Sequence, residues 1–286
     1  MKHIKIFIEL TRLNKPIGYM LLFWPCSWGL AFSASLNQNF DQLIYFLILF
    51  FCGSVLMRSA GCIINDIVDK DIDKKVERTK KRPIANNDIS IKRSLLYSLI
   101  LCIFAFLILI QFNLSTIFLG MGSMLLAFSY PFMKRITYWP QLFLGITFNW
   151  GIIMAWTAMN NSLSIGIIIL YVSAIFWTLG YDTIYGAQDM SDDEIIGLKS
   201  TAIKFKKNIK LFLSTSYLIS IVLILFLFSD FLGKNISTVF LMFFILTLIY
   251  QLVKFKKNKK TNYLKLFKIN NYSGFLLFFS IFSIQF

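Results

Sequence analysis

The chain has 286 residues, 57% of them hydrophobic and only 15% charged, with 31 phenylalanines and a formal net charge of +15. That is too apolar for a soluble domain of this length. The basic excess therefore reads as attraction to an anionic membrane surface, and nucleic acid is not expected as a partner.

Sixteen mostly polar residues come first, with neither the layout of a secretory signal nor a long Arg- and Ser-rich transit sequence. A bacterial inner membrane is thus expected rather than an organelle. Apolar runs of roughly 17 to 20 residues, enough to cross a bilayer, follow at 18–36, 42–58, 94–111, 114–131, 139–158, 163–181, 209–229, 236–253 and 271–286. No linker or compositional break divides them. The expected fold is all-α, a polytopic membrane protein of about nine transmembrane helices around a central cavity, in a single domain over 1–286.

Loop charge sets the orientation, because Lys and Arg are retained on the cytoplasmic side. With the amino terminus inside, the inner segments hold 28 of the 29 Lys and Arg residues, and only Lys234 falls outside. Lys254, Lys256, Lys257, Lys259 and Lys260 are then expected to meet anionic membrane lipid. The four cysteines show no metal-ligand spacing and read as inert buried thiols, and the lone His3 carries no catalytic argument.

Nine of the fourteen carboxylates fall in two clusters, Asn65-Asp66-Ile67-Val68-Asp69-Lys70-Asp71-Ile72-Asp73 and Asp182 to Glu194. They follow the second and sixth runs, so both emerge on the cytoplasmic side. On a helix, Asn65, Asp69 and Asp73 share one face with Asp66 at its edge, and Asp182, Tyr185, Asp189 and Asp193 share another. Asp71 points elsewhere, toward Lys74 or Lys75, and Glu194 is the most dispensable acid. Carboxylates crowded in this way repel one another unless cations are present, and hard oxygens in such number suit Mg²⁺. The surrounding cations Arg78, Lys81, Arg82, Lys134 and Lys199 suit a diphosphate. Arg58 lies seven residues before Asn65, about two turns deeper, where an unpaired charge is costly and marks a site. The span centres hold no Asp, Glu, Lys or Arg, which argues against a cation transporter.

The two acidic motifs resemble the signatures of the UbiA superfamily of intramembrane prenyltransferases. Further stretches are similar to its 4-hydroxybenzoate polyprenyltransferase branch: Arg12-Leu-Asn-Lys-Pro-Ile-Gly18, Arg58-Ser-Ala-Gly-Cys-Ile-Ile-Asn-Asp66, Arg78-Thr-Lys-Lys-Arg-Pro83, Tyr130-Pro-Phe-Met-Lys-Arg135 and Gly197-Leu-Lys-Ser-Thr-Ala202. The matches run from about residue 10 to 205. One departure is Asn87, where glycine is expected, and Asn tolerates the same left-handed geometry.

The resemblance implies Mg²⁺-dependent transfer of a polyprenyl group from polyprenyl diphosphate to 4-hydroxybenzoate, ortho to its hydroxyl, in ubiquinone biosynthesis. A relative with another aromatic acceptor is the alternative. By resemblance, Asn65, Asp66, Asp69 and Asp73 hold one metal-diphosphate unit and Asp182, Asp189 and Asp193 the other. Arg78, Lys81, Arg82, Lys134 and Lys199 are the phosphate contacts. Arg58, Arg135 or Arg12 receives the aromatic carboxylate, and Tyr130 and Tyr185 flank the allylic cation.

Overall fold

The computed structural model describes residues 2–256 and 260–285. A short helix, α1 (Lys2–Thr11), leads into α2 (Ile17–Asn37) and α3 (Leu43–Val68). A single turn, α4 (Lys70–Asp73), and an irregular segment then precede α5 (Ile91–Leu109), α6 (Leu114–Ile136), α7 (Pro140–Asn160) and α8 (Ile165–Gly186). Two more short helices, α9 (Met190–Ile196) and α10 (Thr201–Lys204), lead to α11 (Ile209–Leu227), α12 (Ile236–Lys254) and α13 (Lys260–Phe282). Among the described residues, eight helices are long and apolar enough to span a bilayer. The ninth, α13, begins well before the run expected at 271–286, and its first half carries Lys265, Lys268, Asn270 and Asn271. Lys257, Lys259 and the side chain of Lys260 lie outside the described residues.

Caps set where several spans begin. Asn113, Ser164 and Asn235 each accept a hydrogen bond from the third backbone N–H of the helix they precede, which satisfies one of the orphan donors there. Asn161, at φ 51°, ends α7 in a left-handed turn. Asn87 likewise takes φ 61°, the geometry expected of it.

Packing divides the bundle unevenly. α2, α7, α8, α11, α12 and α13 enclose one continuous core around Trp28, Trp177, Tyr181, Tyr217 and Phe244, all nearly inaccessible. Close approach depends on glycine at several crossings, α2–α7 and α8–α11 among them. A Cβ on Gly29 would stand 2.5 Å from the Ile152 carbonyl oxygen, and one on Gly180 would stand 2.2 Å from the Tyr217 ring.

α3, α5 and α6 are looser. Their outward faces show Leu96, Leu99, Phe118 and Leu125, as a lipid-facing wall should. Between this wall, α2 and α7 lies a cavity of about 1520 Å³.

Candidate active site

The cavity opens at the end of the bundle where both acidic clusters lie. α3 runs unbroken through Arg58 and Asn65 to Val68, and the chain then turns through Asp69 into α4. Asn65, Asp69 and Asp73 reach the cavity wall from this side. Opposite, α8 carries Asp182 and Tyr185, while Asp189 precedes α9, which bears Asp193, and all four line the same space. The two faces expected from helical spacing therefore meet across one cavity.

Most of these acids hold a protein cation. Arg78 donates from Nε and Nη2 to Asp189 at 2.5 to 3.0 Å and reaches the Tyr185 hydroxyl at 3.3 Å. The Tyr185 ring also lies under its guanidinium. Lys134 bonds to Asp69. Arg82 bridges Asp66 at 3.0 Å and Asp73 at 2.8 Å. Residues 78–82 thus fold back from α4 to join the two acidic sides, held by the Thr79 hydroxyl donating to the Asp73 carbonyl.

Asp66 departs from its expected place. Its side chain is 1% exposed and absent from the cavity wall, and it accepts from Arg12 at 2.6 Å as well as from Arg82. Helical phase explains this: Asp66 is one position beyond Asn65, about 100° around α3, and so points under the α1–α2 turn. Arg12 adopts φ 55° to meet it, a strained geometry for a side chain with a Cβ. Burial opposes the Arg12 charge, but Cys62 and Asp66 beside it hold the guanidinium above its ordinary value.

Two expected cations also fall elsewhere. Arg135 donates to the Val68 carbonyl at 2.6 Å and to Asp69 at 3.5 Å, clasping the end of α3 without lining the cavity. Lys199 donates to the Ile136 carbonyl at 3.0 Å and sits over Tyr138, fastening the α9–α10 connection to α6. Asp71 pairs with Lys74, one of the two lysines expected for it, and Glu194 pairs with Lys206, both outside the cavity wall.

Asp182 lies seven residues before Asp189, about 10 Å deeper along α8. Arg58 is the cation whose field reaches it. The Arg58 guanidinium faces the Phe148 ring, and its buried Nε has no hydrogen-bond partner. Gly18 leaves room for this arginine, since a Cβ there would stand 3.0 Å from Nε. Tyr130 lines the cavity at the same site. The structure therefore separates Asp182 and Arg58, which both line the deeper part of the cavity, from a rim of Asn65, Asp69, Asp73, Asp189 and Asp193.

Lys81 lines the cavity, with Glu77 the acid whose field reaches it. Lys15 and Lys268 line it too, and neither was read as functional from the sequence. Burial, together with Arg12, Arg78 and Arg82, lowers the Lys15 ammonium, against the field of Asp66. The signal for Lys15 was present, because it lies inside the Arg12–Gly18 motif.

The donor set fits a hard cation: five carboxyl or amide side chains at one rim offer only oxygen ligands. Among the described residues no three carboxylates close into a cage. Mg²⁺ is commonly held by one or two carboxylates, with waters and substrate phosphates completing its shell.

Fold and site together define a multi-pass membrane protein whose apolar cavity is rimmed by acidic and basic side chains. The chain belongs to the UbiA prenyltransferase family, whose model matches residues 22–279. It is 41% identical over 281 residues to the 4-hydroxybenzoate octaprenyltransferase of Psychromonas ingrahamii, covering 96% of this chain and 95% of that protein. The mitochondrial 4-hydroxybenzoate polyprenyltransferase of Homo sapiens is 49% identical over 209 residues, 73% of this chain and 56% of that protein. The chain spans about half the length of such mitochondrial relatives. The fold is shared with a UbiA homolog from Aeropyrum pernix K1, with a TM-score of 0.75 at 23% identity, covering 93% of this chain and 97% of that one. A UbiA homolog from Archaeoglobus fulgidus, bound to GPP and Mg²⁺, superposes with a TM-score of 0.67 at 16% identity, covering 97% and 99%.

Proposed function

We propose that this protein transfers a polyprenyl group from polyprenyl diphosphate to 4-hydroxybenzoate, ortho to the hydroxyl, as a step of ubiquinone biosynthesis. It does so with Mg²⁺ at the cytoplasmic face of a bacterial inner membrane. One observation supports the reading: a rim of acids and cations crowns an apolar pit, and Arg58, whose buried Nε has no hydrogen-bond partner, lines that pit below the rim.

Asn65, Asp69 and Asp73 on one side, with Asp189 and Asp193 on the other, would hold Mg²⁺. When bound, the metal neutralises charge on the departing diphosphate. Lys15, Lys81, Arg78 and Arg82 orient the phosphates from the protein side. Exchange is built in, because Arg78, Arg82 and Lys134 rest on carboxylates until the diphosphate supplies other anions. The allylic C–O bond breaks with its electron pair leaving on the diphosphate. The ring carbon then forms the new C–C bond, and loss of its proton restores aromaticity. Tyr130 and Tyr185, both in the cavity wall, would flank the cationic carbon.

Arg58 receives the acceptor's carboxylate. Its Nε lacks a partner while Gly18 and Phe148 fix the guanidinium in place, and a buried, charged donor of this kind gains most from an ionic partner. The wall around it excludes water that would otherwise capture the allylic cation.

The test is turnover by the full chain in nanodiscs with Mg²⁺, a labelled polyprenyl diphosphate and a panel of aromatic acids. Prenylated 4-hydroxybenzoate is the expected product. Product from a different ring alone would overturn the acceptor assignment, and absence of any prenylated product would overturn the activity.

A further inference from the structure

Away from the cavity, but at the same end of the bundle, a second and smaller pocket of about 310 Å³ lies where α11 begins and α12 ends. Its walls are Lys207, Asn208, Ile209, Lys210, Leu211 and Phe255. None of these residues lines the main cavity.

Charge at this corner is one-sided. Beyond Glu194 the sequence holds thirteen lysines and a single acid, Asp230, and Asp230 follows α11 at its opposite end. Lys206 is taken by Glu194. Among the described residues no carboxylate pairs with Lys207, Lys210, Lys254 or Lys256, and all four are exposed. Lys254 and Lys256 flank Phe255, so cations approach the pocket from both α11 and the end of α12. Such a cluster repels itself and gains from a shared anion.

The surroundings say what kind of anion. Leu211, in the pocket wall, is exposed, and Leu218, Val222 and Phe226 continue an exposed apolar stripe down α11 at helical spacing. α12 packs on α13 far more closely than on α11, which leaves a seam beside that stripe. Trp139, Phe205 and Phe212 pack together next to Leu211 with Lys204 over the Trp139 ring, and Lys254 lies over the half-exposed Tyr250 ring on α12. Amphipathic rings of this kind sit at the headgroup level of a bilayer. A soluble anion would use the lysines but leave the stripe bare.

We infer that this corner binds one anionic phospholipid, its phosphate headgroup held by Lys207 and Lys210 with Lys254 and Lys256 opposite, and an acyl chain along the α11 stripe. The inference does not rest on the proposed reaction. Phe255 stacks on Tyr263 at 5.3 Å, and the Tyr263 hydroxyl donates to the Lys256 carbonyl at 3.1 Å. The lipid therefore joins the start of α11 to the turn between α12 and α13.

The experiment is native mass spectrometry of the full chain in neutral detergent, titrated separately with phosphatidylglycerol, phosphatidylcholine and inorganic phosphate. One phosphatidylglycerol per chain should be retained, with the other two bound about tenfold more weakly or worse, since one lacks net charge and the other lacks a chain. Each lysine at a membrane surface contributes about fivefold to such binding, so Lys207→Ala/Lys210→Ala should weaken phosphatidylglycerol about twenty-five-fold. Lys207→Arg/Lys210→Arg should keep it. Lys75→Ala/Lys92→Ala removes the same charge from exposed positions elsewhere at this end and should leave the affinity within about twofold, because exposed charges farther off than a Debye length are screened. Should the alanine pair fold poorly, Lys210→Ala alone reads the loss of about fivefold.

Equal losses in the two alanine pairs would reveal a diffuse field and overturn the site. So would unchanged binding in Lys207→Ala/Lys210→Ala, or phosphatidylcholine held as tightly as phosphatidylglycerol. Inorganic phosphate bound as tightly as the lipid would make the corner a soluble-anion pocket and equally overturn the inference.

Discussion

Two neighbouring acids, Asp66 and Asp69, belong to one motif and are equally inaccessible, yet they are held by opposite sides of the structure. Asp69 reaches the cavity and Lys134, whereas Asp66 ties Arg12 and Arg82 together beneath it. Their alanine variants should differ accordingly. Asp66→Ala strands the Arg12 guanidinium and leaves Arg82 with Asp73 alone; breaking a buried pair costs about 3–5 kcal/mol, toward the lower end here because Arg12 and Arg82 retain 19% and 20% exposure. A markedly lower melting temperature in detergent should accompany its loss of activity. Asp189→Ala, on the open side of the rim, should abolish transfer with insertion and melting temperature close to wild type. Equal melting temperatures for the two variants would contradict the division of labour. Arg58→Ala should raise KM for 4-hydroxybenzoate by tenfold or more while the KM for prenyl diphosphate stays within twofold; the converse pattern would move Arg58 into the phosphate shell.

Helices that carry polar residues into the bundle are where sequence and structure part company. The runs ending at 58 and 181 continue as α3 to Val68 and α8 to Gly186, extensions that the spacing of the acids implied in part, since each helix breaks before Asp69 and Asp189 and a short helix carries Asp73 and Asp193. α13 was legible only from 271 onward, because Lys265, Lys268, Asn270 and Asn271 read as loop on any hydropathy argument. Their partners are far away in the sequence. Asn270 accepts from Trp177 at 3.0 Å and exchanges hydrogen bonds with Gln251, which in turn accepts from the Tyr217 hydroxyl, while Asn271 accepts from Trp24. Long-range pairing of this kind lets an amide enter a membrane helix, and no local pattern announces it. α1 escaped notice for a related reason: ten residues with one apolar face contain no long apolar run. The α8–α11 crossing gives a sharp test. Gly180→Ala would press a methyl into the Tyr217 ring, whose hydroxyl is already committed to Gln251. Overpacking costs about 1–3 kcal/mol, so the variant should melt several degrees lower, and Tyr217→Phe alone should not reproduce the loss.

Taken whole, the molecule gathers most of its ionisable groups at one end of an apolar bundle, and on the proposed reading protons and Mg²⁺ would compete there. Burial, reinforced by Asp189 and Asp192, pushes the Asp193 carboxyl up to about 6 despite Lys134 and Arg78 nearby, and burial likewise raises Asp73 despite Arg82. A raised carboxyl keeps its proton to higher pH, and a protonated carboxyl is a poor ligand for Mg²⁺. As pH falls through about 6, apparent Mg²⁺ affinity should therefore weaken, with kcat at saturating metal falling much less. Turnover measured across Mg²⁺ concentrations at a series of pH values would show this as parallel curves displaced toward higher metal. Asp193→Asn should flatten the displacement around pH 6, because the group that exchanges its proton for the metal is gone. An acid-side loss of activity that added Mg²⁺ cannot reverse would instead assign the titration to a group outside the metal rim.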